Sequence, residues 1–357
     1  MPPQRRAAKP ATNATRPRRA KKKKHPRAKK QPARKSERRG SADAKPTVAV
    51  VGAGRVGTAV AVALERRGYR ITALVARTRA HARRAARLLA ARPLALGADA
   101  LDQLPASDLL IVAVPDDEIA PTAALLSARL RTGARARVGV ALHTSGALAS
   151  DVLAPLRARG FSAGSLHPLV SVADAASGAD ALRGAFFCVE GEARAARAAR
   201  RIVRDLGGRS FSVAAEDRAL YHAAAVFAAG HAVALFDVAT QLLARCGVRG
   251  KLARRALLPL AASALKNLAR APSNARALTG PFARRDLETV RRHIAALDAR
   301  RLGAELRLYL LLGLRALSTA SAGGDRAADA ARIAAEIQRA LAKLDENRAG
   351  IVDEDDD

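Results

Sequence analysis

The stretch TVAVVGAGRVG, residues 47–57, decides the fold of this chain. Its apolar β-branched residues indicate a strand that ends at Gly52, and two further glycines complete the spacing G-x-G-x-x-G before an alanine-rich helical segment. In this arrangement the first glycine makes the turn, the second lets a pyrophosphate approach the backbone, and the third lets helix and strand pack closely. The helix N-terminus then faces the anion with its free N–H groups and its positive dipole end. The stretch therefore predicts a dinucleotide site formed by Gly52, Gly54, Arg55, Val56 and Gly57.

Strand and helix patterns alternate over residues 46–213. The continuous apolar run DLLIVAV at 108–114 is typical of a central strand in a parallel sheet. Such alternation predicts the α/β class, with a doubly wound, mostly parallel Rossmann sheet. We expect strands at residues 47–51, 70–76, 108–114, 138–142, 161–166, 185–190 and 209–213, and helices at about 55–67, 79–91, 147–159 and 193–206, with another from about 117.

The character of the sequence changes after residue 213. Residues 214–345 carry long Ala/Leu-rich helical periodicity, interrupted by Gly and Pro, and contain no convincing strand. We predict a separate all-helical domain here, followed by an acidic tail at 346–357. The Ala and Leu content exceeds what one small bundle buries, so we expect an apolar surface that a second copy covers.

The first 45 residues differ in charge from the rest of the chain. They hold 18 of the 63 Lys and Arg residues and only 2 of the 32 acidic residues, with almost no large apolar residue. Such a segment buries too little surface to offset its chain entropy, so we expect it to be disordered. Three interpretations stay open: a solvated extension without function, a non-specific binder of nucleic acid or another polyanion, and a targeting sequence. The arginines of the body are scattered over Ala-rich helices, as GC-rich genomes favour, so we attach no functional message to them.

Other features of the composition narrow the class of protein. We identify no secretory signal and no apolar run of membrane-spanning length, which predicts a cytoplasmic protein without a membrane partner. The only cysteines, Cys188 and Cys246, lie in no metal or redox spacing. The histidine spacings indicate no metal site either, so we expect no bound metal.

The end of the second predicted strand bears on the choice between the two nicotinamide dinucleotides. An NAD site offers an acidic residue here for the ribose 2′-hydroxyl, but this sequence has Arg77, Thr78 and Arg79 and no carboxylate. Two guanidinium groups and a hydroxyl suit a 2′-phosphate. These residues therefore predict NADP, unless they reflect only the abundance of arginine in this chain.

The loop after the central predicted strand should border the nicotinamide or its ribose, because ligands of open α/β sheets bind beyond the carboxyl ends of the strands. We assign Val114, Pro115 and Asp116 of this loop to the cofactor. Asp116 can equally be the N-cap of the next helix, and for Asp117 the capping role is the favoured one.

Two histidines follow neighbouring predicted strands at the same sheet edge. His143 precedes a Ser-Gly loop that contains Ser145, and His167 stands in the segment LHPLV. Each is either a structural histidine or a group that donates or takes a proton as hydride moves. We predict that His167 is the proton donor and that His143 supports the loop that holds the nicotinamide. Ser145 and Tyr221 are expected to orient the substrate, and His222 is the alternative proton donor.

Six motifs then occur in order over residues 47–297, and together they resemble a known family. They are VGAGRVGTAVAVAL, VAVPDDEI, LHTSGAL, GSLHPLVS, YHAAAVFAAGHAVAL and ALTGPFARRDLETVRRHIAAL. The family is a bacterial one of Rossmann-like oxidoreductases with a helical C-terminal domain of unknown function, distantly similar to pyrroline-5-carboxylate reductase and the 6-phosphogluconate dehydrogenase superfamily. The resemblance implies NADP at the glycine turn, a substrate between the domains and a homodimer formed through the helical domain. Two positions depart from it: Gly230 stands where Asn is usual, and Arg285 stands where Gly is usual.

These observations support two hypotheses about function. The first is an NADP-dependent reductase or dehydrogenase that transfers hydride to or from a small polar metabolite. The second is a catalytically silent NADP-binding redox sensor that its basic tail tethers to nucleic acid. The glycine turn fits both hypotheses, the histidines favour the enzyme, and Gly230 and the tail favour the sensor.

Overall fold

The computed structural model describes residues 45–130, 139–321 and 327–354, and the predicted basic tail lies outside these ranges except for Lys45. Its centre is an eight-stranded sheet in which all neighbouring strands are parallel except one pair. The strands are β1 (Thr47–Val51), β2 (Arg70–Ala76), β3 (Leu94–Gly97), β4 (Leu109–Val112), β5 (Val140–His143), β6 (Ser162–Pro168), β7 (Phe186–Gly191) and β8 (Arg209–Phe211). Their order is β3-β2-β1-β4-β5-β6-β7-β8, and β6 and β7 are the antiparallel pair. The prediction of a mostly parallel Rossmann sheet is confirmed.

All seven predicted strands are present within a few residues, and the structure adds β3. That strand has only the four residues LALG, too few to show a period in the sequence, and it pairs with β2 at the sheet edge. The strand expected at 138–142 begins at Val140, and Val138 lies outside the described residues. Because β7 runs antiparallel to β6, Cys188 pairs with His167 across the two strands.

Helices cover both faces of the sheet and are, in chain order, α1 (Arg55–Glu65), α2 (Arg79–Ala86), α3 (Asp116–Arg129), α4 (Ala154–Arg157), α5 (Ala175–Ala181) and α6 (Ala193–Asp205). One face is covered by α1, α2, α5 and α6, whose buried residues share a core with Val50 and Ile111. The other face is covered by α3, α4 and the 3₁₀ segments Ala98–Gln103 and Ser150–Leu153, which pack around Val112. The glycine turn and the strand ends that follow it therefore lie along one edge, between the two helical layers.

The rest of the chain is helical, as the periodicity predicts. Its helices are α7 (Arg218–Ala228), α8 (Gly230–Arg245), α9 (Gly250–Arg270), α10 (Asn274–Ala277), α11 (Pro281–Arg284), α12 (Leu287–Asp298), α13 (Gly303–Ser321) and α14 (Ala327–Glu354). A small core of Val290, Leu306, Leu310 and Ile337 joins α12, α13 and α14. α14 continues past residue 345 to Glu354, so the expected acidic tail is in large part a continuation of this helix.

One apolar segment of this region corrects the sequence analysis. Residues 218–245, which form α7 and α8, are long and apolar enough to cross a membrane by length and composition, and none of the most apolar window is buried. The expectation that the chain has no apolar run of membrane-spanning length is therefore wrong. A tyrosine and two histidines interrupt the alanines, so the length of the run is difficult to recognise in the sequence. The backbone breaks at Ala229, where φ is −121° and ψ is −69°, so the segment is two helices rather than one.

Candidate functional site

The glycine turn has the geometry of a phosphate cradle. Gly52 has a φ of +102°, and a Cβ at this position would lie 2.3 Å from the carbonyl oxygen of Ala113. A Cβ at Gly57 would lie 2.1 Å from the carbonyl oxygen of Gly52, which explains why helix and strand need a glycine where they meet. A Cβ at Gly54, in contrast, would meet no atom within 4 Å. Because Gly54 borders open space at the N-terminus of α1, the turn leaves room for an anion there.

A cavity of about 690 Å³ opens from this turn along the carboxyl ends of β1, β2 and β4. A volume of this size lies within the range of cofactor and ligand sites. Its lining combines the glycine turn and three basic side chains with an apolar end. The lining includes Gly52, Gly54, Arg55, Thr58, Arg77, His81, Arg84, Ala85, Leu88, Leu101, Val114, Pro115, Glu118 and Leu125.

Half of the residues assigned to the cofactor line this cavity and half do not. Gly52, Gly54, Arg55, Arg77, Val114 and Pro115 line it, whereas Val56, Gly57, Thr78, Arg79, Asp116 and His143 do not. Thr78 is the N-cap of α2, with its hydroxyl accepting a hydrogen bond from the backbone N–H of His81. Arg79 is exposed on α2. Of the predicted arginine pair, only Arg77 faces the cavity.

Arg84 takes the place that the sequence analysis gives to Arg79. It lines the cavity together with His81, Ala85 and Leu88, which lie on one face of the helical segment that begins at Arg79. The spacing of three, four and seven residues from His81 is the signal that can reveal this face in the sequence. A 2′-phosphate held here would therefore meet guanidinium groups from Arg77 and Arg84.

His143 and Ser145 are buried, and their polar atoms are bonded within the loop after β5. The Nδ1 of His143 accepts a hydrogen bond from the backbone N–H of Ser145, so its Nε2 donates to the carbonyl of Ala149. The Ser145 hydroxyl donates to a carboxylate oxygen of Asp116 and accepts from the backbone N–H groups of Ala147 and Leu148. This fits a loop-supporting role for His143. It leaves the Ser145 hydroxyl without capacity for substrate.

His167 meets two residues of α7. Its Nδ1 lies 2.6 Å from the Tyr221 hydroxyl, and its ring stands edge-on to that of His222, with the centroids 5.5 Å apart. A Cβ at Gly146 would lie 2.3 Å from the Nδ1 of His222 and 2.8 Å from the Nε2 of His167. The Nδ1 of His222 is buried and has no hydrogen-bond partner among the described residues. Three of the four predicted catalytic residues, His167, Tyr221 and His222, therefore lie together beside Gly146, which the sequence did not single out.

Arg218 is the main residue of this site that the sequence analysis missed. It is only 1% exposed, at the first position of α7. Its guanidinium donates to the carbonyl oxygens of Ser145 at 2.6 Å and Leu148 at 3.1 Å, and to the Sγ of Cys188 at 3.3 Å. It thereby ties the start of the helical region to the loop after β5 and to β7. In a chain with so many arginines, no signal in the sequence separates this one from the others.

Burial and positive charge together keep His143 and His167 neutral. Burial, followed by the charge of Arg218, lowers the pKa of His143 to about 4. Burial, followed by His222 and Arg218, lowers the pKa of His167 to about 4 as well. Burial raises the pKa of Tyr221 well above its usual value, so this hydroxyl keeps its proton. At neutral pH the site therefore holds two neutral imidazoles beside a protonated tyrosine.

The cavity and the histidine cluster are linked through the loops after β4 and β5. Pro115 lines the cavity, the next residue Asp116 binds Ser145, and Gly146 contacts both His167 and His222. Among the residues that the structure describes, no group of three or more His, Cys, Asp or Glu side chains could hold a metal ion. The arrangement can hold an anionic nucleotide and move a proton beside it.

Comparison with family models agrees with this architecture. Residues 30–168 match a Rossmann-like domain, and residues 185–316 match a domain of unknown function, DUF2520. The chain therefore carries a Rossmann-like domain followed by a DUF2520 domain. No curated protein sequence matches it.

Solved structures share the fold at low sequence identity. A "putative NADP oxidoreductase" from Bacteroides fragilis is 22% identical, with a TM-score of 0.62 over 77% of this chain and 98% of that one. A protein from Thermotoga maritima is 21% identical, with a TM-score of 0.57 over 77% of this chain and 98% of that one. Pyrroline carboxylate reductase from Plasmodium falciparum, solved with NADP bound, is 9% identical, with a TM-score of 0.49 over 82% and 98% of the two chains.

Proposed function

We propose that the chain is an NADP-dependent oxidoreductase that transfers hydride to or from a small polar metabolite. The observation that carries the proposal is the cavity that joins an open glycine turn to two arginines, together with a histidine–tyrosine pair that the loops after β4 and β5 link to it. The Bacteroides fragilis neighbour is described as an oxidoreductase that uses the same cofactor, which supports the proposal.

The residues around the cavity fit this cofactor from end to end. The N–H groups at the start of α1 and Arg55 suit the pyrophosphate, and Arg77 and Arg84 suit the 2′-phosphate. Leu88, Leu101 and Leu125 form an apolar end that suits the adenine ring. When bound, the nicotinamide supplies or accepts the hydride. The chain's own groups must then hold the substrate and move the accompanying proton.

We assign the proton to His167, with Tyr221 as the residue that orients it. The Nδ1 of His167 is engaged by the Tyr221 hydroxyl, which leaves Nε2 on the side of Gly146 for contact with a substrate. Because its pKa lies at about 4, the neutral imidazole is the resting form at neutral pH. It takes a proton from a substrate that is being oxidised and returns it in the reverse direction. A pH limb that depends on His167 is therefore expected near pH 4 in the free protein, rather than near the ordinary histidine pKa.

In a second candidate function, the chain binds the cofactor but catalyses no reaction. In the sensor hypothesis the chain binds NADP without turnover, and its basic tail tethers it to nucleic acid. Gly230, where relatives have Asn, favours this reading. A Cβ at Gly230 would meet only Val226 at 3.7 Å, so the site can accept the larger side chain and Gly230→Asn tests the difference.

We further propose a cytoplasmic homodimer formed through the apolar helices α7, α8 and α9. Of the described residues, α8 buries none and α9 buries only Ala253. Leu220, Phe227 and Val233 are each about 70% exposed or more, at 74%, 69% and 70%. A second copy of the same surface is the partner that closed symmetry supplies most often.

Two measurements test the proposed function. Calorimetry with NADPH, NADP⁺ and NADH should give tighter binding of the two phosphorylated cofactors, and no binding of any of them would overturn both hypotheses. A screen of small polar metabolites, followed by the absorbance of NADPH, should then find turnover. Binding of NADPH without turnover in the wild type, with turnover gained in Gly230→Asn, would favour the sensor.

A further inference from the structure

The charge of the described helical segments of the sheet domain is divided unevenly between its two faces. The helices on one face, α1, α2, α5 and α6, contain nine arginines and three acidic residues. The helical segments on the other face, α3, α4 and the two 3₁₀ segments, contain two arginines and six acidic residues. A genome-wide preference for arginine would enrich both faces alike, so it does not explain this division.

The basic face is most concentrated on α6. Its buried side packs on the sheet through Ala195, Ala199, Ile202 and Val203. Its outer side carries arginines at 194, 197, 200, 201 and 204, all of them exposed. We call these five residues the α6 ridge. At about 1.5 Å per residue the ridge is roughly 15 Å long, a length over which a duplex presents several phosphates.

We propose that the α6 ridge binds the phosphate backbone of double-stranded nucleic acid, independently of the basic tail. Arginine is suited to this role because its planar guanidinium binds phosphate oxygens through two parallel hydrogen bonds. Each phosphate contact also releases counterions, which gives a favourable and salt-dependent free energy of binding.

The composition of the ridge favours a duplex over other polyanions. A helix that lies on a membrane presents Trp, Phe or Leu beside its basic residues, and the outer face of α6 has none. A single strand is usually held by aromatic side chains on which its bases stack, and the same face has no aromatic residue. The contacts that remain available are those to phosphates, so the binding is expected to be independent of base sequence.

The ridge also lies on a different part of the domain from the cofactor site. α6 contributes no residue to the lining of the cavity at the glycine turn. NADPH and a duplex should therefore bind the same molecule together, and saturation with NADPH should leave the affinity for the duplex unchanged.

The test compares three forms of the full chain for binding to a fluorescent 20-base-pair duplex over a range of KCl concentrations. They are the wild type, the ridge variant Arg197→Gln/Arg201→Gln/Arg204→Gln, and a control variant Arg292→Gln/Arg300→Gln/Arg332→Gln. The control loses the same charge from exposed arginines outside α6. Because all three forms keep the tail, any contribution of the tail is common to them.

We expect the ridge variant to bind the duplex more weakly than the wild type. A plot of the logarithm of its binding constant against the logarithm of the salt concentration should also be less steep, by about one unit of slope for each arginine that contacts a phosphate. The control variant should keep the wild-type slope. Equal slopes in the two variants would overturn the proposal. So would a stronger effect of the ridge variant on anionic vesicles or on single-stranded DNA than on the duplex.

A second measurement uses the wild type alone and does not depend on how a variant folds. Arginine-specific chemical modification, read by mass spectrometry, should slow at residues 197, 201 and 204 when a saturating duplex is added. The same residues should react at unchanged rates with NADPH present instead. Unchanged modification of the ridge in the duplex complex would show that the nucleic acid binds elsewhere.

Discussion

At the scale of single residues, burial is the main cause of the low pKa of His167, and the charges of His222 and Arg218 lower it further. Arg218 is bonded to two carbonyl oxygens and a sulfur atom, and among the described residues it forms no ion pair, so its charge acts directly on His143 and His167. A positive charge in a buried setting disfavours a second one nearby. The arginine thus both fixes the loop after β5 and keeps the imidazoles neutral.

Replacing Arg218 should separate these two contributions. In Arg218→Gln the charge is lost, so the pKa of His167 should rise from about 4 towards its ordinary value of 6.5. In Arg218→Lys the charge remains, and the pKa should stay low even if the hydrogen bonds to the loop weaken. Titration of the imidazole resonances by NMR measures both. The same titration curve in the two variants would mean that burial alone sets the pKa.

Gly146 provides a second residue-scale prediction. A methyl group here would overlap both His167 and His222, so Gly146→Ala must move at least one ring. We expect a large loss of turnover with a much smaller loss of NADPH affinity, because the cofactor cavity does not include Gly146. Gly303→Ala is the matched control, since its Cβ would meet only Leu344 at an ordinary 3.8 Å. Equal activity of the two variants would remove Gly146 from the site.

Residue-scale reasoning from the sequence found the glycine turn and the histidines because their chemistry demands particular residue types. A φ of +102° at Gly52 and imidazoles beyond parallel strands can be inferred from spacing alone. Arg218 and Arg84 could not be found in this way. Their importance comes from burial or from a helix face, and arginine is too common in this chain for its presence to indicate either.

At the scale of elements, the proposed preference for NADP rests on α2 and on the arginine two residues before it. Arg77 and Arg84 line the cavity and Arg79 does not, although the sequence analysis treats 77 and 79 alike. Loss of one charge-assisted contact to phosphate costs roughly 1.5–3 kcal/mol, or about ten- to hundredfold in affinity. Arg77→Ala and Arg84→Ala should therefore each lower the affinity for NADPH by this factor and change the affinity for NADH very little. Arg79→Ala is the control. An equal loss of NADPH affinity in this variant would favour the prediction from the sequence, in which Arg77 and Arg79 hold the 2′-phosphate.

The short helix α11 ends at a position whose backbone favours glycine. Its C-cap, Arg285, adopts the left-handed conformation with a φ of 57°, which agrees with the glycine expected there from the family resemblance. The Nε of Arg285 is also buried with no hydrogen-bond partner among the described residues. Arg285→Gly should therefore stabilise the fold by about 0.5–1 kcal/mol in urea unfolding. Arg284→Gly, one residue earlier within the helix, should destabilise it instead.

Element boundaries show which structural features a sequence reveals. α1 and α6 were predicted to within about two residues, because each shows a buried alanine-rich face over three turns. The segment expected as one helix at 147–159 is instead a 3₁₀ segment and the four-residue α4. There the side chain of Ser145 already satisfies the backbone N–H groups of Ala147 and Leu148, which holds them in a loop.

At the scale of the whole molecule, the helices α7, α8 and α9 lack the core that every other long helix shares. Leucines on α9, among them Leu260 and Leu265, are 65% and 66% exposed. Contiguous apolar surface of this kind marks an interface. Arg218, at the start of α7, is bonded into the loop after β5, so the first turn of the segment is anchored in the protein.

Light scattering at micromolar concentration should therefore give twice the 37.4 kDa of one chain. Leu260→Glu/Leu265→Glu introduces charges into the apolar face and should shift the mass to that of a monomer, because an unpaired buried charge is costly in an interface. Leu94→Glu is the control, since this leucine is also exposed, at 43%, but lies on the edge strand β3. A monomeric wild type, or a dimer that both variants preserve, would mean that the surface serves another partner. Extraction that requires detergent would identify that partner as a membrane, which the length and composition of residues 218–245 also permit.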